Sequence, residues 1–188
     1  MSNNYEAWPA LGSTDYLFAT RSEMAEEDIV QPDRLDDVYR YCFARLGSRE
    51  DAEDAVMEVF MAANARPDRL RDASDPRLYL IGIARRKVVD VLRRRRRDRR
   101  PTCLERSEPT DGAERREVVR QALATLPENQ REVLVLKYVQ ELSVQEIARV
   151  VRKSPQAVNS LLQRGRAAFR HGAVGLFEGN GARWRDEQ

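Results

Sequence analysis

The spacing of the apolar residues is the feature that most constrains how this chain can fold. From Leu35 to Leu46 apolar side chains follow an i, i+3, i+4, i+7 pattern, which returns between Ala52 and Ala63 and again between Leu78 and Leu92. Such a stripe covers one face of an α-helix, whereas a strand would need strict alternation. The abundant Arg, Ala, Leu and Glu residues also favour helix. The sequence therefore predicts an all-α protein.

Capping residues mark where the first three predicted helices begin and end. Gly47 follows the first stripe and is expected to end its helix. Ser48 with Asp51 three positions later forms a capping pattern that begins the second helix. A polar loop is predicted from Arg66 to Asp75, and Pro76 suits the first position of the third helix.

The third predicted helix ends in a concentration of positive charge. Arg85 to Arg100 contains ten basic residues and two aspartates, a net +8 in a chain whose formal charge is only +2. The run Arg93 to Arg97 repels itself unless an anion is nearby, so it indicates a polyanionic partner more than a merely solvated surface. An apolar stripe on the same helix is expected to anchor it to a core: Leu78, Ile81, Ala84, Val88 and Leu92.

A change of composition separates the two halves of the chain. Residues 101–113 contain two prolines and one glycine without helical periodicity, which indicates a linker. A helix is predicted next, interrupted by Pro127, and the following stretch ENQREVLVLKYVQE is apolar on more than one side, as expected for the centre of a second core. The inward residues predicted for the helix before Pro127 are Val119, Ala122, Leu123 and Leu126.

Two short helices near the C-terminus form the most informative pattern. Ser143 and Glu146 make a capping box, and after a tight turn Ser154 caps a second helix with Pro155 at its first position. This predicts a helix-turn-helix, with an ordinary helical hairpin as the alternative. Gly165 costs this helix about 1 kcal/mol relative to alanine, unless it allows a close approach to a neighbour. The outward residues suit base edges and phosphates: Gln156, Asn159, Ser160, Gln163, Arg164 and Arg166.

Composition argues against several other classes of protein. No apolar run approaches the roughly 20 residues of a membrane span, and the N-terminus lacks the order of a signal peptide, so a cytoplasmic protein without membrane association is expected. With two cysteines and one histidine, neither a zinc site nor a disulfide framework is expected. We also expect no cofactor and no enzymatic activity, because the one histidine lies near the C-terminus and no convergent acid or cysteine motif is present.

Residues 34–97 and 117–170 resemble the two conserved domains of extracytoplasmic-function (ECF) sigma factors, the promoter-recognition subunits of bacterial RNA polymerase. The first is matched by SREDAEDAVMEVFMAA and DPRLYLIGIARRKVVDVLRRRRR, and the second by LATLPENQREVLVLKYVQELSVQEIARVV with the helix after it. The resemblance implies two small helical domains joined by a flexible linker. It also implies a function in promoter-specific transcription initiation.

The resemblance implies that the second helix docks on core RNA polymerase. In the family this acidic amphipathic helix contacts the β′ clamp helices, and the β flap is a further polymerase contact. The matching residues here are Asp51, Glu53, Asp54, Glu58 and Phe60.

The resemblance also implies how promoter DNA is bound, both as duplex and as single strand. The loop from Arg66 to Asp75 and the outer face of the basic helix would melt and read the minus-ten element, while the outward residues of the helix-turn-helix would read the minus-thirty-five element. The DNA contacts implied in the first domain are Tyr79, Arg85, Arg86, Lys87, Arg93 and Arg94.

Four positions depart from the family pattern and affect which bases are expected to be read. Tyr79 stands where tryptophan is common, Arg86 where asparagine is frequent, Gly82 where a larger residue is usual, and Leu161 where arginine is frequent. The fold and the general role are not expected to change.

The resulting domain organisation has five parts. They are an acidic flexible extension (1–33), a region 2-like domain (34–100), the linker (101–113), a region 4-like domain (114–172) and a frayed tail (173–188). The linker is implied to thread the polymerase cleft, with a plain tether as the alternative.

The N-terminal extension carries a net charge of −6, which suggests that it shields the basic segment from non-specific DNA. The alternatives are a disordered leader and a segment that folds on an inhibitor through Tyr16 and Phe18. The family also makes an anti-sigma factor a candidate partner.

Two other functions compete with the sigma-factor interpretation. A DNA-binding regulator that never joins polymerase would explain the helix-turn-helix, but not the order of acidic helix, loop and basic helix. An arginine-rich RNA-binding protein would explain the basic run, but such arms are usually unpatterned.

Overall fold

The computed structural model describes residues 32–98 and 113–179. Within these two ranges the chain forms helices and no strand, which confirms the all-α prediction. Most of the predicted N-terminal extension, nearly all of the linker and the end of the tail lie outside the described residues, while Pro32 and Asp33, predicted to be part of the extension, begin the first helix. The helices are α1 (Pro32–Leu46), α2 (Arg49–Asn64), α3 (Pro67–Arg71), α4 (Pro76–Arg97), α5 (Ala113–Ala124), α6 (Glu128–Tyr138), α7 (Val144–Val151) and α8 (Pro155–Gly179). None of these helices is both long and apolar enough to cross a bilayer.

The first domain packs α1, α2 and α4 around one apolar core. Val38, Val59 and Ile81 contribute one fully buried side chain from each helix, at the positions that the helical periodicity predicts. Cys42 is buried among them, and burial raises the pKa of its thiol to about 12. A thiol in this state acts as a small apolar side chain.

The predicted caps explain where the helices of this domain begin and end. Gly47 adopts φ 68°, a left-handed conformation that ends α1, and its N–H donates to the Phe43 carbonyl at 2.9 Å. The side chain of Ser48 accepts from the Asp51 N–H at 3.3 Å. Asp75, before Pro76, caps α4 by accepting from the Leu78 N–H at 3.0 Å.

The predicted polar loop after α2 is wrong in one respect, because it contains the short helix α3. Pro67 occupies the first turn, where the missing N–H is not needed. Leu70 is buried, and this single apolar anchor ties the segment to the core of the first domain.

The second domain packs α5, α6 and α7 on the long helix α8, which extends beyond residue 172, the boundary proposed from sequence. The prediction for α5 is wrong at Val119, which is 36% exposed, while the neighbouring Val118 is buried. Helix α5 is rotated by one residue relative to the predicted orientation, so Val118 faces the core in place of Val119. Gly165 is buried, and a Cβ atom there would approach Leu134 of α6 to 3.3 Å, as the expected close approach requires.

The two domains share one continuous hydrophobic cluster, because α6 packs against α1 and α7 packs against α4. This arrangement explains why α6 is apolar on more than one side: one side faces its own domain and another faces the first domain. Polar side chains are buried at the same contact, including Arg45, Glu132 and Gln140.

Candidate nucleic-acid and protein-binding surfaces

The helix-turn-helix is held by local hydrogen bonds that the sequence predicts. Glu146 and Ser143 form the reciprocal capping box, with the Ser143 N–H donating to Glu146 Oε2 at 2.7 Å and the Glu146 N–H donating to Ser143 Oγ at 3.2 Å. These bonds to Ser143 lower the pKa of the Glu146 carboxyl. Arg152 turns the chain at φ 56°, and the Ser154 side chain accepts from the Ala157 N–H at 3.2 Å to begin α8.

The polar face predicted for α8 is exposed at all six positions, from Gln156 to Arg166. Val158, Leu161 and Leu162 are buried on the opposite side, so the burial of α8 sets the direction of the polar face. Arginine is frequent in the family at the position of Leu161, but here the side chain is buried, which suits an apolar residue. The six side chains therefore lie on a convex face that is available to a groove of duplex DNA.

Arg166 is positioned by a residue of another helix. Its guanidinium donates to the Tyr138 hydroxyl at 2.8 Å and lies 5.8 Å from the centre of the Tyr138 ring. Such a cation–π contact, together with a hydrogen bond, reduces the freedom of a long side chain. Arg164 instead donates to the backbone carbonyl of Ser160 at 3.2 Å, on its own helix.

The outer face of α4 divides into exposed and paired basic residues. Arg86, Arg93 and Arg94 are exposed, and Arg93 also pairs with Asp90 on the same helix at 3.7 Å. Lys87 pairs with Glu58 of α2 at 2.7 Å. Tyr79 is partly buried and packs against the hydrophobic core. The structure therefore keeps part of this face accessible and engages the rest in contacts within the chain.

Arg85 differs from its neighbours because its partner belongs to the other domain. Its Nε and a terminal nitrogen donate to the two carboxylate oxygens of Glu132 at 2.9 and 3.3 Å. Paired donors of this kind match a carboxylate closely. Arg85 is therefore not available to DNA while the two domains are in contact.

The acidic helix α2 also combines exposed and paired side chains. Asp51 bonds to Arg95 of α4, and Glu53 pairs with Arg49 on the same helix at 2.8 Å. Asp54 is exposed, whereas Phe60 is partly buried against the core. Glu58 pairs with Lys87 of α4, so three of the four acids predicted to bind polymerase also form ion pairs within the first domain.

Sequence analysis missed two methionines on the outer face of α2. Met57 is 48% exposed and Met61 is 66% exposed, although both are large and apolar. Together with Asp54 and Glu58, the two methionines occupy positions i, i+3, i+4 and i+7, which lie on one face of a helix. The signal was present in the sequence, because both methionines lie outside the apolar stripe that packs inward.

Family comparisons agree with this geometry. Residues 33–98 match the model of sigma-70 region 2, and residues 116–169 match that of sigma-70 region 4. The ECF sigma factor SigD of Mycobacterium tuberculosis is 37% identical over 136 residues, which cover 64% of this chain and 64% of SigD. The ECF sigma factor ShbA of Streptomyces griseus is 31% identical over 150 residues, covering 70% of this chain and 78% of ShbA.

A solved structure shows the same fold. The sigma factor RpoE of Bartonella quintana, solved in complex with the anti-sigma factor NepR, superposes with a TM-score of 0.64 at 18% identity, covering 82% of this chain and 96% of RpoE.

Fold and surfaces together define a two-domain helical protein with a helix-turn-helix in its second domain and the region 2 helices in its first. The chain belongs to the ECF family of sigma factors. Its alignment spans less than two thirds of the length of SigD.

Proposed function

We propose that this chain is a promoter-specificity subunit that binds core RNA polymerase and directs transcription initiation. The observation that carries the proposal is the presence of both faces on one chain of this family: an exposed polar and basic face on α8, and an exposed acidic and methionine face on α2. A DNA-binding regulator needs only the first face. The proposal includes no catalytic step by this chain.

The α8 face is proposed to read the minus-thirty-five element in the major groove. Asn159 and Gln163 carry amides, which pair with adenine through two hydrogen bonds. The helix dipole places partial positive charge at the N-terminus of α8, which favours a phosphate. Arg166, fixed by Tyr138, is proposed to contact phosphate and therefore to add affinity without sequence preference.

The α4 face is proposed to bind the minus-ten element and the DNA beside it. Arg86, Arg93 and Arg94 are exposed and supply charge for phosphate contacts. Opening of the duplex then requires only that single strand binds more tightly than duplex, so no nucleotide hydrolysis is needed.

The α2 face is proposed to dock on the β′ clamp helices of polymerase. Exposed methionines adapt to an apolar partner surface, while Asp54 and Glu58 supply the charge complementarity that orients the encounter. The β flap is a second proposed contact. An anti-sigma factor is a proposed regulatory partner, which is supported by the RpoE structure with NepR.

Promoter binding through Arg85 requires a change of arrangement. Glu132 occupies its guanidinium, so DNA must displace a carboxylate that belongs to the second domain. We infer that the two domains separate when the chain engages polymerase and promoter. Free protein is accordingly expected to bind promoter DNA weakly.

Run-off transcription tests the proposal. Core polymerase from the same host is incubated with a genomic promoter library, with and without the purified chain, and specific transcripts are expected only with it. Promoter binding by the chain alone, without any transcript in the presence of core polymerase, would favour the regulator instead.

A further inference from the structure

A groove of about 940 Å³ lies between the two domains, and both domains line it. The first domain contributes Arg40 of α1 and Arg77 of α4, while α5, α6, α8 and the connection between α6 and α7 contribute the remainder. Apolar side chains form much of its lining, including Val119, Leu123 and Phe169. Val119, which was predicted to be buried in the second domain, is exposed into this groove.

The polar residues of the groove are mostly basic. Four arginines and one glutamate, Glu141, line it. Arg40 and Arg77 both bond to Asp37, and Arg77 also donates to the Gln140 carbonyl at 2.8 Å, so the arginines of the first domain are held in place. Arg166 and Arg170 extend from α8. An apolar surface with a positive rim suits an acidic segment that also carries aromatic residues.

Residues 1–31 of this chain have that composition. They contain six acidic residues and one arginine, together with Trp8, Tyr16 and Phe18 among their aromatic residues. The segment joins α1 at Pro32, and Arg40 lies eight residues further along the same helix, roughly 12 Å away. A chain of this length spans that distance easily. Because both are parts of one molecule, the segment is present at an effective concentration of about millimolar.

We propose that the N-terminal segment, residues 1–31, docks in the groove between the domains. Its aromatic residues cover the apolar lining, and its acids face the arginines. The exposed arginines at the end of α4 offer charge to the same segment, but the groove offers charge and apolar surface together.

Docking also has a consequence for the arrangement of the domains. Since both domains build the groove, an occupant binds only when they are in contact, and by linkage it favours the arrangement in which Glu132 holds Arg85. The N-terminal segment would therefore act as an internal inhibitor of DNA binding. The docking itself does not depend on the proposed function.

Fluorescence of Trp8 in the full-length chain tests the proposal. Trp8 and Trp184 are the two tryptophans, so Trp184→Phe leaves Trp8 as the single reporter. We expect blue-shifted emission from Trp8, and acrylamide quenching several-fold weaker than in a synthetic peptide of residues 1–31. Equal quenching in the peptide and in the full-length chain would overturn the proposal.

Substitutions in the groove test whether it is the place where Trp8 is protected from acrylamide. Arg40→Glu with Arg170→Glu should restore quenching, and Val119→Asp, at an exposed position, should do the same without changing the rim. Arg71→Glu is the matched control, because this exposed arginine of α3 lies outside the groove. Circular dichroism verifies that each variant is folded.

Two results would overturn the proposal. Protection of Trp8 that survives both groove variants but is lost in Arg93→Glu with Arg94→Glu would place the segment on α4. Protection that rises with protein concentration would assign the segment to a second copy of the chain.

Discussion

At the scale of single residues, Arg45 is the most constrained charge in the described part of the chain. It is 1% exposed, and its guanidinium donates to the Tyr41 hydroxyl at 3.2 Å and pairs with Glu128 and Glu132 of the other domain. Burial opposes its charge, but Tyr41, Glu128 and Glu132 outweigh that effect and keep the pKa of Arg45 above its ordinary value. A buried charge of this kind is tolerated only with such partners.

Removing this charge should therefore be costly. Arg45→Ala leaves Glu132 at the domain contact with one ionic partner fewer, and we expect a loss of about 3 kcal/mol or more in the free energy of unfolding. The control is Arg49→Ala, which breaks an exposed pair with Glu53 and should cost less than about 1 kcal/mol. Urea denaturation followed by circular dichroism measures both, and similar losses would contradict the role given to Arg45.

Two glycines in long helices allow the same substitution with different outcomes. At Gly82 of α4 an added Cβ meets nothing within 4 Å, so Gly82→Ala should stabilise the protein by up to about 1 kcal/mol through helix propensity. At Gly165 the added Cβ lies 3.3 Å from Leu134, and this contact should cancel most or all of the gain. Thermal denaturation of the two variants compares them, and a larger gain at Gly165 would refute the packing argument.

At the scale of helices, α2, α4 and α8 each present one face to the core and another to the outside of the domain. In α8 the buried valine and leucines determine the direction of the polar side chains. In α4 the same division leaves the arginines outside, although pairing with Glu58 and Glu132 engages Lys87 and Arg85. The packing of a helix thus determines which side chains its outer face presents.

For α8 we expect base-reading and phosphate-binding residues to behave differently. Asn159→Ala or Gln163→Ala should cost about 1–3 kcal/mol on the preferred promoter and relax the sequence preference. Arg166→Ala should weaken binding to all sequences alike and reduce the salt dependence. Selection from a randomised minus-thirty-five library, with holoenzyme, measures the three profiles, and identical profiles would place base reading elsewhere.

For α2 we expect the exposed face around Asp54 and Met57, and not Asp51 or Glu53, to dominate binding to polymerase. Asp54→Lys with Met57→Ala should lower the affinity for core polymerase at least tenfold, which corresponds to about 1.4 kcal/mol. Glu50→Lys, on the same helix and exposed, is the control. Fluorescence anisotropy titration with core polymerase distinguishes them, and equal affinities would remove Asp54 and Met57 from the interface.

At the scale of the whole molecule, polar contacts between buried and half-buried side chains join the two domains. Arg77 donates to the Gln140 carbonyl at 2.8 Å, and the Gln140 side chain donates to the Asp37 carbonyl at 2.9 Å. Together with the carboxylate of Glu132 these bonds join α1, α4 and the second domain. A partner that binds the Arg85 guanidinium must displace Glu132 and so competes with these contacts between the domains.

Weakening the contact should therefore open the molecule and expose Arg85. Glu132→Ala is expected to increase the radius of gyration in small-angle scattering and to raise the affinity of the free protein for DNA several-fold at low salt. Glu53→Ala removes a carboxylate whose partner is on the same helix, so it should change neither. An unchanged radius with unchanged DNA affinity would show that Glu132 does not hold the domains together.

The sequence by itself determined the features that depend on local interactions. Helix type, the caps at Ser48, Ser143 and Ser154, and the outward polar residues of α8 follow from contacts between residues no more than a few positions apart. These interactions act within one helix and do not depend on where the rest of the chain lies. The predicted roles of the α2, α4 and α8 residues in binding remain predictions.

Only the tertiary structure decided which charges are free and where the domains meet. Arg85 and Glu132 are 47 residues apart in sequence, and Gln140 and Asp37 are 103 apart. The helical period places Arg85 beside the apolar stripe of α4, four residues after Ile81 and three before Val88, but no local pattern identifies Glu132 as its partner. The exposure of Val119 likewise depends on how α5 rotates against α8. Pairing and burial at these positions arise only when distant helices pack together, because each side chain's partner belongs to another segment of the chain.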